Sequence, residues 1–67
     1  MTKLQPTVRR LLRLKEAAGY LSLSPWKLRH IVQCGELPVV KYAENAPWLL
    51  DVRDLDLWVE RNKRAVE

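Results

Sequence analysis

The sequence is poor in the residues that staple small folds. It has one cysteine and one histidine in 67 residues, so no internal disulfide can form and a closed zinc site, which takes about four soft ligands, cannot be assembled. No apolar run approaches the roughly 18 residues of a membrane helix, and the first residues lack the apolar stretch of a signal peptide. The expectation is an intracellular chain with no membrane partner. There is no internal repeat, no low-complexity segment and no heptad pattern of a dimerising coiled coil. Nor is there a phosphate loop, a recognisable nucleophile or an acid and base pair, so an enzyme with a small-molecule substrate is not expected, and no cofactor is implied.

A chain this short buries only about 60% of the surface its unfolded form exposes, which leaves room for one domain and for little besides a core. With 48% hydrophobic and 30% charged residues, the composition fits a folded domain rather than a disordered chain. Net charge is +4, pointing to a polyanionic partner, and its distribution is uneven. Residues 1–15 hold Lys3, Arg9, Arg10, Arg13 and Lys15 with no acid. Charges balance through the middle, and the final stretch is slightly acidic. The excess therefore sits at the N-terminus.

Residues 1–10, with Pro6 and little periodicity, are expected to be a basic arm. Leu11, Leu12 and Leu14 suit a short lead-in strand, and Ala17, Ala18 and Leu21 share one side of a helix over 15–21. Ser24-Pro25 is a helix start, because serine caps free amides and proline fits the first helical position. A second helix is predicted over 25–34, with Leu28, Ile31 and Val32 buried and Gly35 ending it. Its other face carries Trp26, Lys27, Arg29, His30 and Gln33. Segments 39–42 and 48–52 have the length and side chains of strands, predicting a hairpin with a tip over 43–47. Asp51 and Asp54 form an acidic variant of a capping box ahead of Leu55, Trp58 and Val59, which repeat with helical period.

Two helices joined by a tight break, the second rich in donors, fit a helix-turn-helix, with the hairpin as a wing beside it. The expected class is α+β, mainly α: three helices, a two-stranded wing and a short lead-in strand over 11–62, flanked by the arm 1–10 and a tail 63–67. The matching stretches are LRLKEAAGYL at 12–21, LSPWKL at 23–28, GELPVV at 35–40 and WLLDVRDLDLWVE at 48–60. On these the chain resembles the excisionase and MerR-like winged helix-turn-helix domains of bacteria and their mobile elements, over most of its length. That resemblance implies sequence-specific binding to duplex DNA, in DNA recombination or transcription regulation, within a bacterial or phage-infected cytoplasm, with neighbouring copies, an integrase or a polymerase as further partners. It also shows departures: the tip has Glu44, Asn45 and Pro47 with Lys41 as its one cation, Arg13 stands where a capping serine or threonine is usual, and Ser22 replaces a turn glycine.

The candidate DNA contacts are Ser24, Pro25, Trp26, Lys27, Arg29, His30 and Gln33 on the second helix, Arg13 and Lys15 near the first, Lys41 and Asn45 in the wing, and Arg9 and Arg10 in the arm. Lys27 and Arg29 can donate to guanine or to phosphate, and His30 and Gln33 to base edges or backbone. Trp26 has two readings, packing on a neighbouring side chain or touching a thymine methyl or sugar. The arm also has two: a minor-groove contact or a solubilising tail. Trp48 and Trp58 are expected in the core, Tyr42 at its edge, and Cys34 half-buried. His30 and Cys34, four residues apart, are two ligands without a third, so no metal is expected. Asp51, Asp54 and Asp56 read as helix capping and macrodipole compensation rather than catalysis. A protein-interaction module that keeps the fold without DNA affinity is the alternative function.

Overall fold

The computed structural model describes residues 9–66. It contains β1 (Leu11–Arg13), α1 (Leu14–Tyr20), α2 (Pro25–Gln33), β2 (Leu49–Asp51) and α3 (Val52–Arg61). Over the described residues the fold is mixed α+β and mainly helical, with one two-stranded antiparallel sheet. Among the described residues, no helix is long and apolar enough to cross a membrane.

Each helix boundary has a local cause. Arg13 offers α1 no side-chain cap, but the Glu16 carboxylate, three residues on, accepts the Arg13 N–H at 2.9 Å, closing half of a capping box. α1 then ends with Leu23 N–H donating to the Ala18 carbonyl and Ser22 N–H to that of Gly19. This is a Schellman turn, which places its C′ residue in the left-handed region; Ser22 occupies that position with φ 59°. α2 starts on Ser24, whose Oγ accepts the Lys27 N–H at 3.0 Å, with Pro25 as its first residue. It ends in the same turn as α1, with Glu36 N–H to Ile31 and Gly35 N–H to Val32. Here a glycine takes the left-handed position, at φ 85°. α3 is capped by Asp51, which accepts the Arg53 N–H.

The buried core is Ala17, Ala18, Leu28, Ile31, Leu37, Leu50 and Leu55. The two small alanines permit close packing of α1 on α2, and Leu28 of α2 shares their buried cluster. Leu12, Leu14, Val32, Trp48 and Trp58 pack partly buried around this centre. Thus Trp48 and Trp58 border the core rather than fill it, and the Trp58 indole N–H donates outward to Glu36 at 3.2 Å.

The strand pairing departs from expectation. Segment 39–42 is not a strand: it touches β2 through a single bridge, Val40 to Leu49. The lead-in strand β1 is the partner of β2 instead, in the register Leu11 to Asp51, Leu12 to Leu50 and Arg13 to Leu49. This pairing buries Leu50 completely, whereas the 39–42 segment has only Val39 packed inward and leaves Val40 and Tyr42 outside. Tyr42 is 73% exposed, well beyond a core edge, and Cys34 is exposed rather than half-buried.

Candidate nucleic-acid interface

α2 presents a face without a carboxylate. Leu28 and Ile31 turn inward, and Trp26, Lys27, Arg29, His30 and Gln33 are all exposed. At 3.6 residues per turn, Trp26, His30 and Gln33 lie along the line opposite the buried pair, while Lys27 and Arg29 flank it about 160° apart. The three residues Lys27, Arg29 and His30 therefore do not project as one cluster. The centre of the face is the Trp26 and His30 ring pair, with centroids 4.6 Å apart and planes tilted by 59°. Trp26 is 67% exposed, so it packs on its neighbour and keeps most of its ring in solvent. Ser24 is engaged as the cap of α2.

Arg29 belongs to a different surface. Its guanidinium lies over the Trp48 ring, 5.5 Å from the centroid, a separation at which the ring quadrupole attracts a cation. Beside it runs an open groove of about 500 Å³, lined by Arg13, Leu14, Lys15, Pro25, Arg29, Lys41, Ala46, Pro47 and Trp48. Four cations from four parts of the fold meet there, and no carboxylate among the described residues lines it. Asn45 is exposed on the loop outside the groove lining.

The two arginines of the expected arm that lie within the described residues are tied to acids of the domain. Arg9 pairs with Glu16. Arg10 donates through Nε and Nη2 to Asp51 Oδ2 at 3.0 and 2.9 Å, and its carbonyl accepts the Val52 N–H. The Arg10 guanidinium and the Arg53 amide hold the Asp51 carboxyl below its ordinary range, and Asp51 in turn raises Arg10. The Arg13 amide, then Arg9, lower Glu16 in the same way. Tyr20 donates to Asp56 at 2.6 Å, which raises the phenol. Lys3 and the rest of the arm lie outside the described residues.

Apart from Asn45, the candidate residues thus divide into three groups: the α2 face with its cap, the groove and the N-terminal ion pairs. Sequence reasoning did not find Trp48 as the support of Arg29, because nothing local links two residues so far apart in the chain. No cluster of three or more histidine, cysteine, aspartate or glutamate side chains gathers among the described residues. The chain matches no protein-family model, no curated protein and no solved structure.

Proposed function

We propose that the protein is a winged helix-turn-helix domain that binds duplex DNA through the exposed face of α2, in the manner of an excisionase-like accessory factor or a small transcriptional regulator. One observation carries this reading: α2 is fixed at both ends and along its inner side, yet its outer side bears aromatic and donor groups and no acid. A helix of that kind, behind a tight turn from α1, has the shape and chemistry to enter the major groove. The acids of the described residues lie elsewhere: Glu16 on α1, where Arg9 pairs with it, the 36 and 44 positions, and α3 with its N-terminal cap. The loop over 41–47, closed at its base by the Val40 to Leu49 bridge, takes the place of a wing. Partners beyond DNA, including neighbouring copies or an integrase, follow from the resemblance alone.

The test is a titration of the protein with random duplex DNA in low salt, followed by amide shifts. Changes concentrated in Trp26 to Gln33 support the reading. If the net charge of +4 is matched by about four phosphates, log affinity falls with log salt at a slope near −3.6. A flat response at measurable affinity, or no shift at high protein and DNA concentration, refutes it and leaves the fold as a protein-interaction module, a role for which Tyr20, Trp26 and Tyr42 are exposed aromatic groups.

A further inference from the structure

We infer that the groove between α1, the start of α2 and the 41–47 loop is a seat for backbone phosphate, and that Arg29 serves this seat rather than base readout. The inference rests on the duplex-binding reading for the source of the phosphate, but the seat itself has a separate chemical basis. Arg13, Lys15, Arg29 and Lys41 line one open groove with no carboxylate among the described residues. None of the four takes part in an ion pair among those residues, and Glu16, next to Lys15 in the chain, is occupied by Arg9 and by the Arg13 amide. Like charges gathered this way repel one another until an anion is bound. A single carboxylate neutralises one of them, whereas a nucleic-acid strand supplies a succession of phosphates.

The position of Trp48 selects an oxyanion over a flat ring. Arg29 already covers the indole face, so that face is not free for a base to stack on. Trp48 instead holds the planar guanidinium in place, and ordering it before the ligand arrives lowers the entropic cost of binding. Lying about 40° around the helix from Pro25 and about 160° from Lys27, Arg29 is turned to the groove side. Base readout then falls to the central line of Trp26, His30 and Gln33. Phosphate contacts fix register without reading sequence, which makes Arg29 a positioning residue.

The experiment uses the full chain, a duplex enriched from a random pool, and a scrambled duplex, with affinity measured by fluorescence anisotropy over a salt series. Arg29→Ala and Lys41→Ala should each weaken both duplexes several-fold and by the same factor, leave their ratio unchanged, and reduce the salt slope by about 1. His30→Ala should narrow the ratio. If Arg29→Ala narrows the ratio while binding to the scrambled duplex is unchanged, Arg29 reads bases and the inference is wrong. A second measurement needs no DNA: titration with pyrophosphate, observing the indole N–H signals. A shift at Trp48 exceeding that at Trp26, abolished in the Arg29→Ala/Lys41→Ala double variant, supports the seat even if duplex binding fails. No shift at Trp48 overturns the seat even if duplex binding holds. Both side chains are exposed, so the variants should fold, and an unchanged far-UV circular dichroism spectrum checks it.

Discussion

Leu28→Ala tests the packing that aims α2. Leu28 is fully buried, so truncation removes three carbons, worth about 0.8 kcal/mol for each methylene equivalent in transfer alone. A cavity cost of about 24 cal/mol per Å³ of unfilled space adds to this. Ala17 and Ala18, in the same buried cluster, have no side chain long enough to refill the gap, so collapse is limited and a total of about 3 kcal/mol is expected. A domain of this size has roughly 3–10 kcal/mol to lose, taking 0.05–0.15 kcal/mol per residue. With a urea slope of about 1 kcal/mol/M, the midpoint should fall by about 3 M, or the variant should be unfolded in water by far-UV circular dichroism. Leu57→Ala is the control: Leu57 is 53% exposed on α3 and should shift stability by no more than about 0.5 kcal/mol. If Leu28→Ala costs less than about 1 kcal/mol, or no more than the control, α2 is not held by this contact and the placement of its outer face loses its basis.

Ser24→Ala removes the acceptor of the Lys27 N–H and should cost about 1 kcal/mol in chemical denaturation. Ser22→Gly relieves a left-handed serine and should stabilise by about 0.5–1 kcal/mol, with Gly35→Ala moving the other way. Asp51 and Glu16 both have lowered folded-state values. Their contribution is therefore complete above the ordinary carboxylate range of about 4 and is lost as pH falls through the depressed values. Acid titrations should show wild-type stability dropping below about pH 4, and Asp51→Asn with Glu16→Gln should flatten that drop. An equal drop in the double variant places the acid sensitivity elsewhere.

What the sequence made legible were features with short-range causes. Ser24-Pro25 and Gly35 bracket α2 because a cap, a fixed φ and a left-handed residue each act within one turn. Asp51 signals the start of α3 for the same reason. Leu28, Ile31 and Leu55 follow from helical period. The sheet is not legible in the sequence because strand pairing carries no local record: 39–42 looks as strand-like as Leu11–Arg13, and burial of Leu50 decides between them. In the interface, residue type identified the donors of α2, but their division between the outer line and the groove depended on Trp48, which approaches Arg29 only in the folded chain. Arg10 reads as a free cation because its partner Asp51 is distant along the chain, and Arg9 because the strand between it and Glu16 has to form before the two meet.

The β1 to β2 pairing joins residues 11–13 to residues 49–51, so β1 is made well before its partner. On the ribosome, α1 and α2 can meet early, but the opening strand has no partner until Asp51 has left the exit tunnel. Pairings so far apart in sequence raise the loop-closure cost and slow folding. The nascent helix pair must therefore wait with Leu12 unshielded, and a stall in translation before residue 49 would leave that edge open to other chains.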